Sequence, residues 1–216
     1  YSIDEVFFDV TSYLKRYGIS AEPYYSDMGA LADESLDKFQ KNEIKVLVAT
    51  IKLGMGYDKG DVSFIIHYQM PQNIVSYYQQ IGRAGENIDK AYTFLMTGQE
   101  DQDIIEYFIR TAFPSEKELI DVRTIITEHD GIKTNQLGQH INALKARTDK
   151  ALCFLEHDGY IYYDNGYHST PRPFMYQGDY YAQIKAIRYH EMRQMQELQR
   201  INSCYNRYII NALDDS

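Results

Sequence analysis

Residues 46–59 read Val-Leu-Val-Ala-Thr-Ile-Lys-Leu-Gly-Met-Gly-Tyr-Asp-Lys, and residues 79–85 read Gln-Gln-Ile-Gly-Arg-Ala-Gly. The first segment opens with an apolar, β-branched run without alternation, which predicts a strand buried on both faces. It continues into a glycine-rich loop, where backbone can approach a ligand closely. A strand, a glycine-rich loop and an arginine-bearing loop in this order are typical of a motor domain that contacts nucleotide and nucleic acid together.

Two further apolar runs, at residues 62–68 and 92–96, also predict buried strands. Helical patterns alternate with these strands at residues 2–17, 31–42 and 73–80. Alternating helices and buried strands predict an α/β fold with a parallel, doubly wound sheet over residues 1–112. The first helix has no preceding strand, so we expect the chain to begin inside this domain.

The pattern changes after residue 112. Ser115 and Glu118 form a capping box that opens a helix to residue 128. Two more helical stretches follow, at 134–142 and 146–157, and then two short strands flank an Asp-Asn-Gly turn at 164–166, a strong hairpin signal. Three helices and a hairpin predict a winged-helix domain at residues 113–173. Residues 174–216 predict a helical C-terminal segment.

The net charge is −9 and the sequence pI is about 5.1, the wrong sign for a general nucleic-acid binder. The excess acid lies mainly in residues 1–112, with 10 Lys and Arg against 17 Asp and Glu, so the later segments can still carry local basic faces. Two cysteines exclude a disulfide framework and favour a reducing cytoplasm. No apolar run approaches the length of a bilayer span, so we expect no membrane partner.

Several side chains of the first domain could contact phosphorylated ligands. Thr50 and Lys52 follow the first strand and could reach a phosphate, Asp58 could accept a hydrogen bond from a ribose hydroxyl, and Arg83 could project from its glycine loop towards a γ-phosphate. Each feature alone also fits a glycine-rich turn in any α/β protein, or a surface arginine.

Together, residues 13–96 resemble the second RecA-like domain of RecQ-family helicases of superfamily two. The family patterns are Ala-Thr-x-x-x-Gly-Met-Gly-x-x-Lys and Ser-Tyr-Tyr-Gln-x-x-Gly-Arg-Ala-Gly-Arg. Residues 49–59 follow the first pattern in full, and residues 76–86 follow the second except at position 86. The resemblance implies ATP-driven, 3′-to-5′ unwinding of DNA at a junction of single strand and duplex, with ATP and Mg²⁺ held between this domain and a first RecA-like domain of the same full-length protein. It implies these roles by position: Thr50 and Lys52 near DNA, Gly56 and Asp58 in cofactor binding, and Gln79 and Arg83 facing the nucleotide, with Arg83 as the catalytic residue.

Two departures from the family limit these expectations. The last arginine of the second pattern is Glu86 here, and a carboxylate would repel a triphosphate. The sequence also lacks the Gly-x-x-x-x-Gly-Lys-Ser/Thr phosphate loop and the Asp-Glu-x-His magnesium box. We therefore interpret the chain as the C-terminal part of a longer enzyme that does not hydrolyse ATP on its own.

In the predicted winged helix, Lys145, Arg147 and Lys150 begin the third helix, where they could contact DNA phosphates. They could equally form a solvated helix face, and the domain could instead dock a protein. Tyrosines of the hairpin could stack on an unpaired base, whereas His168 reads as a surface residue.

The two cysteines have different interpretations. Cys204 lies in a helix similar to the start of a RecQ zinc module, which makes it a candidate first Zn²⁺ ligand if the natural chain continues past Ser216, and a metal-free thiol otherwise. Cys153, on an apolar helix face, is expected in the core.

Two other functions stay open at this point. One is a non-enzymatic DNA- or protein-binding regulator with a degenerate helicase domain, which Glu86 would favour. The other is an RNA helicase of the same superfamily, which a winged helix directly after the motor segment disfavours.

Overall fold

The computed structural model describes residues 3–50, 53, 59–96, 98–141 and 144–214. The chain divides into two compact units, residues 1–97 together with 209–216, and residues 98–208. Among the described helices, none combines the length and apolar character that a membrane span requires.

The first unit alternates helices with short strands, as predicted. Its elements in chain order are α1 (Ile3–Arg16), β1 (Ala21–Tyr24), a 3₁₀ turn (Ser26–Met28), α2 (Ala30–Gln40), β2 (Val46–Ala49), β3 (Phe64–His67), α3 (Ile74–Ile81) and β4 (Tyr92–Leu95).

The strands of the first unit pair in parallel. Strand β1 pairs with β2 from Ala21↔Val46 onward, and β3 pairs with β4 from Phe64↔Tyr92 onward. Parallel pairing requires a crossover connection, which α2 supplies between β1 and β2 and α3 supplies between β3 and β4. The predicted parallel pairing is confirmed, but the described residues form two two-stranded sheets instead of one continuous sheet.

The two faces of the β3–β4 pair differ in burial. On one face His67 is buried, and its ring lies 5.1 Å from that of Tyr77 in α3. The other face carries four large apolar side chains that are 38–59% exposed: Phe64, Ile66, Tyr92 and Phe94. Strands buried on both faces were predicted, and for this pair the prediction is wrong because no described element covers the second face.

The second unit contains helices and one hairpin. Its elements are α4 (Gln99–Arg110), α5 (Glu116–Glu128), α6 (Thr134–His140), α7 (Lys145–His157), β5 (Ile161–Tyr163), β6 (Tyr167–Ser169) and α8 (Gly178–Arg200); α9 (Tyr205–Asp214) crosses into the first unit.

Local sequence signals explain the ends of these elements. The predicted capping box is confirmed: the Ser115 backbone N–H donates to Glu118 Oε2 at 2.7 Å, and the Ser115 hydroxyl accepts from the Glu118 backbone N–H at 3.3 Å. In the hairpin, Asn165 adopts a φ of +53°, a left-handed conformation that asparagine tolerates. Strands β5 and β6 pair antiparallel, and Ile132 forms an isolated bridge to Tyr167.

The core of the second unit lies between α5, α6, α7 and the hairpin. The helices α5 and α7 pack directly on each other, and their inward side chains are among those that are at most 5% exposed. These residues are Leu119, Val122, Ile126, Ile132, Leu137, Ala151, Leu152, Leu155, Tyr160 and Ile161. Full burial of one such aliphatic side chain contributes about 1.5–3 kcal/mol, so this cluster dominates the stability of the unit.

The packing of the structure crosses two predicted domain boundaries. Helix α4, which the sequence analysis placed in the first domain, packs on α8 and belongs to the second unit. The ring of Phe113 stacks on that of Tyr181 in α8 at 4.6 Å. Residues on both sides of the predicted boundaries at 112 and 173 therefore share one packed unit, because aromatic contacts join segments that are distant in sequence.

Candidate nucleotide site and nucleic-acid surface

The arginine-bearing loop begins where α3 ends. Asn73 caps α3 by accepting the Ser76 backbone N–H at 2.8 Å, which fixes the start of the helix that carries Gln79. At the other end, the Arg83 backbone N–H donates to the Gln80 carbonyl at 3.2 Å, so the chain keeps turning after the last helical residue. Gly85 then adopts a φ of +87°, which favours glycine and reverses the chain.

A cavity of about 380 Å³ lies beside this loop. Both residues that were predicted to face a nucleotide, Gln79 and Arg83, line it. The other lining residues are Lys59, Val62, Tyr78, Gly82 and Glu86. Lys59 directs its ammonium to Asn42 and Asp61, so the polar groups that this wall can offer a ligand are the Arg83 guanidinium, the Gln79 amide and the Glu86 carboxylate. The guanidinium and the amide are hydrogen-bond donors of the kind that bind a phosphate group.

The other predicted residues of the first unit are only partly described. Thr50 lies directly after β2, and its backbone N–H donates to the Tyr24 carbonyl at 3.1 Å. Thr50 is not among the described residues that line the cavity, so the structure brings together Gln79 and Arg83 but not this third residue. Lys52, Gly56 and Asp58 lie outside the described residues, and their roles stay predictions.

Three cations on α7 were predicted to bind DNA. Lys145 is exposed, whereas Arg147 and Lys150 form hydrogen bonds to other groups of the protein. Arg147 forms a bidentate pair with Glu118, from Nε to Oε1 at 2.7 Å and from Nη2 to Oε2 at 2.6 Å. Its Nη1 and the Lys150 ammonium both donate to the Thr111 carbonyl, at 3.1 and 2.7 Å. Thr111 caps the C-terminal end of α4, where unsatisfied carbonyls attract cations.

This ion pair changes the titration of Glu118. Hydrogen bonds from Arg147, assisted by the Ser115 backbone N–H and hydroxyl, lower the pKa of Glu118 to about 2. The same pair raises the pKa of Arg147. Arg147 and Lys150 therefore hold α4, α5 and α7 together, and a DNA contact by Arg147 would have to break two short charge-assisted hydrogen bonds.

His168 has a defined role that the sequence analysis missed. Its Nδ1 lies 2.8 Å from Asp130 Oδ1 and its Nε2 lies 3.1 Å from the Asp164 carbonyl, while Tyr162 stacks on its ring at 5.1 Å. Both ring nitrogens thus face oxygen acceptors, and the Asp130 hydrogen bond raises the pKa of His168. The sequence signal for this contact is weak, because Asp130 lies 38 residues away.

Neither cysteine has a described metal partner. Both Cys153 and Cys204 are exposed, so the expectation of a core position for Cys153 is wrong. Within the described ranges there is no group of three or more His, Cys, Asp or Glu side chains that could hold a metal ion. The zinc role of Cys204 stays a prediction.

Comparisons with known proteins agree with the geometry of the first unit. The family model for the helicase conserved C-terminal domain matches residues 2–87. ATP-dependent helicase wrn-1 of Caenorhabditis elegans is 30% identical over 146 residues, covering 64% of this chain and 14% of that protein. ATP-dependent DNA helicase RecQ of Bacillus subtilis is 34% identical over 116 residues, covering 52% of this chain and 19% of that protein.

The match of residues 2–87 to the helicase model and the similarity of the chain to RecQ helicases together support a RecQ-family helicase C-terminal region. Another relative, R290 of Acanthamoeba polyphaga mimivirus, is 48% identical over 71 residues, covering 33% of this chain and 13% of that protein, and carries the provisional name of an ATP-dependent RNA helicase. The chain spans less than a fifth of the length of each of these three relatives.

Within this RecQ-family region, the cavity contains the main departure from the family pattern. Glu86 stands where that pattern ends in arginine, and it lines the same cavity as Arg83 and Lys59. A carboxylate at this position lowers the positive potential that a triphosphate would meet. Arg83 is therefore the arginine that this loop presents to the cavity.

Proposed function

We propose that the chain supplies the second RecA-like half of the motor of an ATP-dependent 3′-to-5′ DNA helicase. The observation that carries this proposal is the placement of Gln79 and Arg83 on the wall of one cavity, within the segment that matches the helicase family. An arginine in this setting can stabilise charge that develops on a γ-phosphate during hydrolysis.

In this proposal, the ATP site is shared. The first RecA-like domain of the full-length protein supplies the phosphate loop and the carboxylates that hold Mg²⁺, and the chain supplies Gln79 and Arg83 from the opposite side. Bound Mg²⁺ would neutralise charge on the phosphates, and the Arg83 guanidinium would be the group of this chain that contacts the γ-phosphate. We expect the 216-residue chain alone not to hydrolyse ATP, since its sequence contains no phosphate loop.

Within the second unit, residues 113–173 are proposed to form a DNA-binding winged helix. Helix α5, the bridge at Ile132, helices α6 and α7 and the β5–β6 hairpin follow one another in the order that such domains use. Lys145 is exposed at the start of α7, the third of these helices, and can contact a phosphate. Tyr162 and Tyr163 are about half exposed in the hairpin and can stack on a base at a junction of single strand and duplex.

A non-enzymatic regulator is the second candidate, and Glu86 is the observation that favours it. If turnover requires the arginine that Glu86 replaces, the cavity could bind nucleotide without supporting hydrolysis. An RNA substrate is the third candidate, which the name of the mimivirus relative keeps open.

A single set of assays on the full-length protein separates these functions. ATP turnover should rise when single-stranded DNA is added and should rise less with RNA of the same length. Unwinding should occur on a duplex with a 3′ tail and not on one with a 5′ tail. No turnover together with intact DNA binding would support the regulator, and stronger stimulation by RNA would support the RNA helicase.

A further inference from the structure

Lys59 is a buried cation at the edge of the cavity. Its side chain is only 5% exposed, although lysine is rarely buried without a partner. The ammonium donates to Asn42 Oδ1 at 2.8 Å and to Asp61 Oδ1 at 2.5 Å, and it lies 5.4 Å from the centre of the Phe39 ring. These contacts compensate the desolvation of the charge and fix the position of its backbone.

The partners of Lys59 also hold each other. Asn42 lies just after α2 and adopts a φ of +60°, a left-handed conformation that few residues other than glycine tolerate as well. From this position its Nδ2 donates to Asp61 Oδ2 at 2.9 Å. Lys59, Asn42 and Asp61 thus form a closed triangle, which we call the lysine triangle. These hydrogen bonds lower the pKa of Asp61 and favour its carboxylate form.

The segment that carries the lysine triangle is joined to the arginine-bearing loop by backbone. The Asn87 N–H donates to the Gly60 carbonyl at 2.8 Å, and the Gly85 N–H donates to the Val62 carbonyl at 3.0 Å. The approach is close, because a Cβ at position 60 would lie 1.9 Å from Asn87 Nδ2. Contacts that fix residues 59–62 therefore also fix residues 85–87 through these two hydrogen bonds. Residue 85 is only two positions after Arg83.

We propose that Lys59 is a positioning residue for Arg83. Its ammonium anchors residues 59–62 to the end of α2, and this segment anchors the arginine-bearing loop against the cavity. The proposal rests on the proposed function for its effect on ATP turnover, but the anchoring itself is a property of the first unit and can be measured without nucleotide.

The anchoring is tested by hydrogen exchange of single amides in the 216-residue chain. Lys59→Met keeps the length of the side chain and removes the charge, which breaks the two ammonium hydrogen bonds and leaves the Asn42–Asp61 hydrogen bond as the remaining link. We expect the Gly85 and Asn87 amides to exchange about tenfold faster, since the stability of about one net hydrogen bond disappears locally. The Met96 amide, which donates to His67 at the end of the β3–β4 pair, should change little.

Lys41→Met is the matched control. Lys41 directly follows α2, is 59% exposed and pairs with Asp37, so its removal should leave the Gly85 and Asn87 amides unchanged. If Lys59→Met does not fold, Asn42→Gly removes one acceptor of the ammonium without straining the left-handed backbone, and Asp61→Asn removes its counter-charge; each should accelerate exchange at the same two amides. Unchanged exchange at both amides in a folded variant overturns the proposal.

The effect on Arg83 is tested in the full-length protein by a double-mutant cycle. Lys59→Met should lower DNA-stimulated turnover on the order of 10- to 100-fold, mainly in kcat, because a displaced catalytic group loses alignment. Adding Lys59→Met to Arg83→Ala should then cost nothing more. Losses that multiply would show that Lys59 acts independently of Arg83. Absence of turnover in the unmodified protein would contradict the proposed function but leave the hydrogen-exchange result to decide the anchoring.

Discussion

The glycine loop after α3 and the first turn of α7 each carry an arginine that the sequence marks as a ligand contact, and the structure places them differently. Arg83 lines a cavity of about 380 Å³, where the flanking glycines leave room for a ligand. Arg147 lies between the end of α4 and the start of α5, and Glu118 and the Thr111 carbonyl bind its guanidinium. A cation near a helix C-terminus and a carboxylate contributes first to the fold.

Among the substitutions that compare the two arginine sites through their neighbouring charges, the largest effect is expected on the loop side. Glu86→Arg should raise DNA-stimulated ATP turnover of the full-length protein by about tenfold or more, because it restores a second positive charge to the cavity wall. The control is Asp89→Arg, which adds the same charge change to the same loop outside the cavity. Equal turnover in Glu86→Arg and the unmodified protein would show that position 86 does not face the nucleotide.

The next effect concerns the Arg147 side. Glu118→Gln should lower the free energy of unfolding at pH 7 by about 1–3 kcal/mol, towards the lower end because the pair is about a quarter exposed. The folded-state pKa of Glu118 is about 2 and its usual value is 4.5, so the ion pair stabilises the fold fully above pH 4.5 and loses this contribution as the pH falls towards 2. Thermal unfolding of Glu118→Gln and of the unmodified protein at several pH values measures this pH-dependent contribution.

Glu116→Gln is the control for this prediction, since Glu116 is an exposed carboxylate on the first turn of the same helix. A difference between Glu118→Gln and the unmodified protein that is as large at pH 2 as at pH 7 would contradict the proposed role of the ion pair.

A smaller effect distinguishes Lys145 from Arg147. Lys145→Glu should weaken DNA binding without changing thermal stability, and should reduce the slope of log K against log salt by about 0.9 for each phosphate that the lysine neutralises in the unmodified protein. Lys117→Glu, at an exposed lysine of α5, is the control. Unchanged DNA affinity in Lys145→Glu would favour protein docking by the second unit.

The smallest effect concerns His168. Its pKa is raised, so its contribution to the fold is complete below the usual histidine pKa of 6.5 and disappears as the pH rises through the folded-state value. Asp130→Asn should lower the pKa of His168, because the neutral amide no longer favours the imidazolium. A ¹H NMR titration of the His168 ring follows this change, and an unaltered midpoint would remove Asp130 as its cause.

Local signals in the sequence predict the elements well. The parallel strands, the Ser115–Glu118 capping box and the Asp164–Gly166 turn depend on residues that are close in sequence, and all three are present in the structure. The cavity residues Gln79 and Arg83 were predictable for the same reason, because one helix end and its loop carry both.

Long-range partners explain what the sequence did not predict. Arg147 meets Glu118 across 29 residues, Lys150 meets Thr111 across 39, and Lys59 meets Asn42 across 17. None of these pairs has a periodic pattern that single-sequence analysis can detect. The exposed face of β3 and β4 is a similar case, since a run of apolar residues indicates a strand but does not specify what covers each face.

The most direct test of the central claim is ATP turnover by the full-length protein with Arg83→Ala, compared with Lys90→Ala at an exposed lysine of the same loop. We predict that single-stranded DNA stimulates turnover of the unmodified protein and of Lys90→Ala equally, and that Arg83→Ala loses on the order of a thousandfold. Turnover by Arg83→Ala within about twofold of the unmodified protein would contradict the assignment of this cavity as half of an ATP site.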